Sequence, residues 1–340
     1  MAAVVGNEEL RRTGVHAVQV LAVAASYYGA GRLGLLRELS IEGAVVTPVY
    51  PPTGIAVAAL LILGMGCWPG IALGSFFVVL SVAEPRPEVL GVLAGNTAAP
   101  VCAALLLHRA GFRQDLSRLR DGLALVFLAA LAAMTVSATV GVGLVVLTDA
   151  PAAHSFWLIW LAWWVGDAMG VLIVTPLLLL LHGARWPPPL GRWKEATALA
   201  LAACGLVPLA AFSSVSLLFL VSPLIIWAAL RFRFVGSVLC VLLTSVVATI
   251  AATDGDGAFA GLSRIEVMLK LQAFNGAMAL TALLLSAVIT EQRNTRRSVE
   301  RACLELAEVL EHLTAGEAPR SRPHPDPGDT DGRPRRGANP

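Results

Sequence analysis

The chain has 340 residues; 56% of them are hydrophobic, 14% are charged, and the formal net charge is +2. Soluble domains carry about 25% charged residues, so this composition excludes a single water-soluble core. The apolar runs do not alternate apolar and polar residues, which excludes a transmembrane β-barrel. Because lipid offers no hydrogen bonds to an open sheet edge, the sequence predicts an all-α, polytopic transmembrane helical bundle.

About ten apolar runs predict a membrane-embedded domain of residues 15–290, preceded by a cytoplasmic N-terminal segment of residues 1–14. Several runs are shorter than the ~20 residues that cross a bilayer, so the prediction is eight to ten spans. Two pairs of helices, which meet at residues 64–70 and 213–214, could each form one broken or re-entrant element. The predicted helices are 15–36, 53–66, 69–83, 89–108, 121–147, 157–182, 196–212, 216–230, 235–252 and 267–290.

Charge alternates between successive loops of this prediction. The loops on one side contain Arg37, Arg86 and Arg264 among acidic residues, whereas the N-terminal segment and the loops on the other side contain most of the basic residues. Arginine and lysine favour cytoplasmic loops, so both termini are predicted to be cytoplasmic. The basic set is Arg11, Arg12, Arg109, Arg113, Arg118, Arg120, Arg185, Arg192, Lys194, Arg231, Arg233, Arg293, Arg296, Arg297 and Arg301.

Beyond the last run, Val299, Cys303, Leu306, Leu310 and Leu313 follow a 4-3-4-3 spacing, which is typical of a heptad seam. The seam covers barely two heptads. Residues 291–313 are therefore predicted to form a short cytoplasmic helix. This helix is either an amphipathic helix that lies on the membrane or on a loop, or a signalling helix that pairs with its copy in a homodimer. Residues 314–340 are rich in proline and lack large apolar residues, so they are expected to be disordered.

Asp167 is the clearest polar residue within a predicted membrane helix. An ionised aspartate near mid-bilayer costs about 2.5–3.5 kcal/mol, so its side chain is expected to face the bundle interior. It is spaced three or four residues from its neighbours in a set that shares one helix face: Trp160, Trp163, Trp164, Asp167 and Gly170. Gly166 and Gly170 form a small-x-x-x-small pair that would let a neighbouring helix approach closely. Asp167 either contacts a ligand, an ion or a buried base, or is a structural acid.

Two further residues are candidate partners of Asp167. Asn96, in the predicted helix 89–108, could hydrogen-bond with Asp167 across helices or cap a kink at Pro100. Arg32, near the end of the first run, could pair with Asp167 or extend its guanidinium to the membrane surface. The sequence leaves each pair of alternatives open.

A second group of polar residues opens the last run. Gln272 and Asn275, together with Lys270, could line a shallow outer cavity with Tyr27 and Tyr28, or could anchor the helix at the membrane interface. The complete set of candidate ligand-binding or signal-sensing residues is Asp167, Asn96, Trp163, Trp164, Arg32, Gln272 and Asn275.

The sequence shows no cluster of reactive residues typical of an enzyme. The five cysteines are scattered and form no C-x-x-C pair, and phosphate-loop and zinc-protease motifs are missing. We therefore expect no catalytic residue, no metal, no cofactor and no nucleic-acid partner. The expected surroundings are membrane lipid.

Several short fragments occur in a fixed order along residues 15–290. Together they resemble the first type of the membrane-associated sensor domains (the MASE group) of bacteria. The fragments are Tyr50-Pro51-Pro52-Thr53-Gly54-Ile55-Ala56, Trp68-Pro69-Gly70, Leu73-Gly74-Ser75-Phe76, Gly95-Asn96-Thr97, Trp163-Trp164-Val165-Gly166-Asp167-Ala168-Met169-Gly170, Thr175-Pro176-Leu177, Pro223-Leu224-Ile225-Ile226-Trp227-Ala228-Ala229-Leu230-Arg231-Phe232 and Leu271-Gln272-Ala273-Phe274.

The resemblance implies an integral sensory module of the bacterial plasma membrane. In that family the module normally precedes a cytoplasmic output domain, such as a histidine kinase or a cyclic-dinucleotide synthase or phosphodiesterase. The resemblance implies no ligand with a known role. The residues that match its motifs are Pro51, Pro52, Gly54, Trp68, Pro69, Asn96, Trp164, Gly166 and Asp167.

The C-terminal region departs from the family pattern. It contains no Gly-Gly-Asp/Glu-Glu-Phe cyclase signature, and His312 lacks the acidic residue and the proline that usually follow a kinase phospho-acceptor. The expectation is a sensor that lacks its own catalytic output domain and is not an enzyme. It would pass a rearrangement of the bundle to its C-terminal helix, or to a separate output protein such as a kinase or a cyclic-dinucleotide enzyme.

Two alternatives to a sensor stay open. A transporter or permease component is supported by the short, Gly/Pro-interrupted runs at 53–66 and 69–83, a pattern found at transport sites. The third interpretation is an assembly scaffold that only holds a partner in the membrane.

Overall fold

The computed structural model describes residues 2–36, 39–41, 44–82, 88–116, 118–148, 156–183, 192–214 and 217–316. These residues form an all-α helical bundle, which confirms the predicted fold class, with one small addition. Two three-residue strands, β1 (Leu39–Ile41) and β2 (Ala44–Val46), pair in an antiparallel hairpin after the first helix. Apart from residues 314–316, the predicted disordered tail lies outside the described residues, as do Arg37 and Arg86.

Most helix ends lie within a few residues of the ends predicted from the apolar runs. A π-helical segment, Leu125–Ala133, connects α5 to α6. The helices are α1 (Ala2–Leu35), α2 (Pro51–Leu63), α3 (Trp68–Leu80), α4 (Glu88–Arg109), α5 (Leu119–Ala124), α6 (Met134–Thr148), α7 (Phe156–Gly183), α8 (Trp193–Phe212), α9 (Val221–Asp254) and α10 (Arg264–Gly316). The exceptions are the start of α1 at Ala2, the end of α10 at Gly316, and α9, which covers two predicted helices.

Six helices of the described chain are long and apolar enough to cross a membrane. They are Val89–Arg109, Leu119–Leu144, Phe156–Gly183, Trp193–Phe212, Phe234–Asp254 and Arg264–Leu313. Three shorter apolar helices, Pro51–Leu63, Met65–Leu80 and Leu218–Phe232, accompany them. The helix α1 is not among these candidates. A count of eight to ten spans therefore depends on α1 and the shorter helices.

The helix α9 folds back on itself although its residues are helical throughout. A Cβ atom at Gly236 would lie 3.2 Å from the carbonyl oxygen of Ala228, eight residues earlier. A straight helix would separate these residues by about 12 Å along its axis. Leu218, in the short 3-10 turn before α9, belongs to the same buried cluster as Ala248 and Ala251 near the end of α9. The bend falls where the sequence predicts a loop between the helices 216–230 and 235–252.

The break predicted at residues 64–70 is present between α2 and α3. The helix α2 ends at Leu63. The next residue, Gly64, has a φ of 94°, which favours glycine, and a short 3-10 turn, Met65–Cys67, follows. Each helix begins with proline in its first turn: Pro51 and Pro52 in α2, and Pro69 after Trp68 in α3. Proline suits this position because its preset φ is helical and its missing N–H has no partner there.

Packing groups the helices around α7. The helix α2 packs mainly on α7, while α1 packs on α3 and α2. The helix α4 packs on α6, the π-helical segment and α3, and α8 pairs with α9. The largest buried cluster draws on α2, α4–α10 and contains many alanines, so these helices lie close together.

The chain divides into two compact units with the boundary between Arg293 and Asn294. In the second unit the described residues are the last part of α10, which ends at Gly316. Its side chains are exposed up to residue 313, including the predicted seam residues Val299, Leu306 and Leu313.

Candidate functional site

The glycines of α7 bring its backbone against the chain that enters α2. A Cβ atom at Gly166 would lie 2.5 Å from the carbonyl oxygen of Thr47, and one at Gly170 would overlap the carbonyl oxygen of Tyr50. The backbone N–H of Tyr50 donates to the carbonyl of Gly166 at 2.9 Å. Gly54 of α2 approaches the carbonyl of Gly170 equally closely. The absence of side chains therefore allows this approach.

Asp167 lies between these glycines and is 2% exposed. Its Oδ1 accepts a hydrogen bond from the Thr53 hydroxyl at 2.7 Å. Its Oδ2 is buried and has no hydrogen-bond partner among the described residues. Ser137 and Trp163 lie close enough to interact with the carboxyl group. Asp167 is thus a buried acid with one oxygen engaged and one available.

A network of buried polar side chains surrounds this acid. Asn96, 8% exposed, donates from Nδ2 to Ser75 Oγ at 3.2 Å and accepts at Oδ1 from Ser137 Oγ at 3.1 Å. The indole Nε1 of Trp163 donates to Ser137 Oγ at 3.2 Å. Tyr27, 1% exposed, lies close enough to interact with Ser75, Tyr50 and Asp167. With the contact of Asp167 to α2, the network joins α1, α2, α3, α4, α6 and α7.

A cavity of about 220 Å³ adjoins the network. Asp167, Asn96 and Trp163 line it on its polar side. Its apolar side consists of Leu35 and four valines from α3, the turn after it, and α4. A mostly apolar pocket with a few convergent polar groups is the usual form of a small-molecule site. The full lining is Leu35, Thr47, Tyr50, Val78, Val79, Val82, Val92, Asn96, Trp163, Gly166 and Asp167.

The two candidate partners of Asp167 lie in different surroundings. Asn96 accepts a hydrogen bond from Ser137, which lies near Asp167. Asn96 and Asp167 both line the cavity. Arg32 is exposed on α1, and the ion pairs found among the described residues do not include it. These ion pairs do not include Asp167 either, so Asp167 has no basic partner among the described residues.

The tryptophans next to Asp167 attach α7 to α6 and to the π-helical segment. Trp164 is stacked on Trp160 with 5.6 Å between ring centroids, and its Nε1 donates to the carbonyl of Leu131 at 2.8 Å. The Nε1 of Trp160 donates to Thr139 Oγ1 at 3.1 Å. Trp164 therefore lies beside the site and does not line the cavity.

Gln272 and Asn275 lie on α10 and face a different part of α7. Gln272, 5% exposed, donates from Nε2 to the carbonyl of Ala162 at 3.0 Å. Asn275 is 1% exposed, and its amide has no hydrogen-bond partner among the described residues. Lys270 donates to the carbonyl of Ala258 at 2.5 Å. The suggested grouping with Tyr27 is not found, because Tyr27 belongs to the Asp167 network.

The hydroxyl groups of this site are not among the residues predicted from the sequence. Thr53, Ser75 and Ser137 are each a lone hydroxyl residue on a buried helix face, and each binds one of the predicted candidates. Thr53 and Ser75 stand within the fragments that carry the family resemblance, and this was the available signal. Ser137 lies outside those fragments.

Fold and site together define a polytopic helical membrane protein with a buried acid beside a small cavity. The chain belongs to the MASE1 family of membrane-associated sensor domains: the family model matches residues 19–293, which is most of the chain. The resemblance read from the sequence is thereby confirmed. No curated protein and no solved structure matches the chain.

Proposed function

We propose that the chain is a sensory module of the bacterial plasma membrane, with both termini in the cytoplasm and its sensing site at the Asp167 cavity. Membership of a family of membrane-associated sensor domains supports the sensory role. The observation that carries the site is the buried carboxyl group of Asp167, which lines the cavity and belongs to a network joining six helices. A ligand there would touch most of the first half of the bundle.

The cavity lies at one end of the helices that form it. Leu35 ends α1, Val82 follows the end of α3, Val92 lies in the second turn of α4, and Trp163 lies in the first half of α7. In the topology proposed from the basic residues, these ends face away from the cytoplasm. The stimulus would therefore enter from outside the cell.

The helix α7 connects this site to α10. Its carbonyl at Ala162 accepts from Gln272, and the Met169 side chain packs over Gly276, where a Cβ would lie 3.8 Å away. A shift of α7 would change both contacts. We propose that α10 passes this change to residues 291–313, which act on a separate output protein such as a kinase or a cyclic-dinucleotide enzyme. The chain itself would perform no catalysis.

We further propose that residues 291–313 pair with the same segment of a second copy. The exposure of Val299, Leu306 and Leu313 supports this pairing, because apolar residues at heptad spacing gain stability by packing against a partner helix.

A reporter fusion tests the sensory role. Residues 1–313 are grafted onto a kinase or cyclase whose output is measured in cells, and Asp167→Asn is compared with Asp115→Asn. Asp115 is a matched control because it is an exposed acid in a surface ion pair with Arg113. We expect Asp167→Asn to change the output at equal membrane abundance and Asp115→Asn to leave it unaltered. Equal output from both variants, together with no response to any stimulus, would contradict the proposal.

One observation favours the transporter alternative. The break between α2 and α3 at Gly64 gives the discontinuous helices that often form transport sites. Uptake or proton flux into vesicles that contain the purified protein would support this alternative, and flux equal to that of empty vesicles would exclude it. Unchanged partner recruitment after deletion of residues 291–340 would count against a scaffold.

A further inference from the structure

We infer that the Asp167 cavity binds a small organic ammonium ion, which places its charged group at the free carboxylate oxygen and its carbon skeleton against the valines. This inference rests on the proposed sensory role of the cavity and names the chemical class of its ligand.

The charge of Asp167 favours a cationic ligand. A carboxylate removed from water is costly unless a cation or several hydrogen bonds compensate it. Thr53 donates a hydrogen bond to Oδ1, and Ser137 and Trp163 lie nearby. Among the described residues, Oδ2 has no hydrogen-bond partner and no basic residue forms an ion pair with Asp167. An ammonium group offers both the positive charge and the donors that Oδ2 lacks.

The apolar walls of the cavity favour an organic cation over a metal ion. Leu35, Val78, Val79, Val82 and Val92 present aliphatic surface, which a hydrated metal ion would not use. A metal site would also need several oxygen, nitrogen or sulfur ligands around one point. The described residues contain no group of three or more His, Cys, Asp or Glu side chains able to hold a metal.

The aromatic residues at the cavity add to this preference. Trp163 and Tyr50 line the cavity beside Asp167. Aromatic faces attract organic cations, and carboxylates combined with aromatic rings are well suited to an ammonium group. The volume of about 220 Å³ lies below the ~300–1,000 Å³ of sites for drug-sized ligands, so the ligand is small.

Titration calorimetry on the full chain in lipid nanodiscs tests the inference. The probes are n-butylamine, cyclohexylamine and 2-phenylethylamine, each paired with the alcohol of the same skeleton. Because a hydrogen bond to a charged group contributes more than a neutral one, at least one amine should bind about tenfold or more tightly than its alcohol. Equal affinity of amine and alcohol for the unmodified protein, or no binding of any amine to it, would overturn the inference.

Variants then locate the binding. Asp167→Asn should remove the preference for amine over alcohol, and Asp115→Asn should retain it. Val79→Phe, which fills the cavity without changing the acid, should weaken amine and alcohol alike. Retention of the amine preference by Asp167→Asn would refute the assignment, as would complete displacement of the amine by an equal concentration of sodium or potassium chloride.

Comparison with the reporter fusion separates this inference from the proposed function. Amine binding at Asp167 that leaves reporter output unaltered would support the ligand class and contradict the sensory role. A reporter that responds to Asp167→Asn, in a protein that binds no amine, would support the sensory role and overturn the ligand class.

Discussion

Replacing Gly170 with alanine tests the close approach between α7 and the start of α2. The new Cβ atom would overlap the carbonyl oxygen of Tyr50 and lie 2.8 Å from its carbonyl carbon. These are backbone atoms directly before Pro51 and Pro52, so they cannot move aside as the end of a flexible side chain can. We expect α7 to shift away, which lengthens the hydrogen bond from Tyr50 to the Gly166 carbonyl, 2.9 Å in the intact protein.

The size of the effect follows from three contributions. Inserting a methyl group into a packed interior costs about 1–3 kcal/mol. Weakening a buried hydrogen bond costs about 1 kcal/mol. Alanine is favoured over glycine within a helix by about 1 kcal/mol, which offsets part of the loss. The net expectation for Gly170→Ala is a decrease of about 1–3 kcal/mol in the free energy of unfolding.

The matched control is Gly205→Ala in α8. A Cβ atom there would have no neighbour within 4 Å among the described residues, so only the helix preference applies. Stability should therefore stay equal or rise by up to about 1 kcal/mol. Both variants are unfolded in mixed micelles by increasing amounts of a denaturing detergent, with tryptophan fluorescence as the signal. If Gly170→Ala unfolds at the same midpoint as Gly205→Ala, α7 and the start of α2 are not in close backbone contact at Gly170.

Three further predictions concern the hydrogen bonds and the C-terminal helix. Thr53→Val removes the donor to Asp167 Oδ1 and should lower stability by about 1.5–3 kcal/mol, whereas Thr53→Ser should retain most of it; the same unfolding assay checks both. Trp164→Phe removes an indole donor to the π-helical segment, so amide hydrogen exchange of that segment should become faster while exchange in α8 stays constant. Mild oxidation should cross-link Cys303 of one copy to Cys303 of a second copy, and Leu306→Asp should prevent this cross-link. Cross-linking that persists in Leu306→Asp would contradict pairing through the seam.

The helices could be predicted because each one needs an apolar run to lie in lipid. The bend within α9 could be predicted only in part. Arg231 and Arg233 correctly predict a turn, because charged residues favour the membrane surface. Arg231 instead remains helical and pairs with Glu195 at 2.7 Å, so the chain reverses without a conventional loop. Apolar periodicity does not contain that information.

The site was predictable only in part. An acid in an apolar run is costly, so Asp167 is conspicuous in the sequence. Serine and threonine are common in membrane helices, and a lone hydroxyl does not indicate which neighbouring helix it will face. The positions of Thr53 and Ser137 beside Asp167 depend on how α2 and α6 pack against α7, which the sequence does not specify. The interior position of Asn275 likewise depends on helix rotation and not on its place near the start of a run.

The π-helical segment Leu125–Ala133 gives the bundle a place where the hydrogen-bond register can change by a single residue. Conversion of such a segment to α-helical bonding releases one residue and turns the following helix by about 100° around its own axis. The helix that follows is α6, which carries Ser137. A register change here would move the Ser137 hydroxyl away from both Asn96 and Trp163. The chain would then have two arrangements, which differ in whether Ser137 is among the polar neighbours of Asp167.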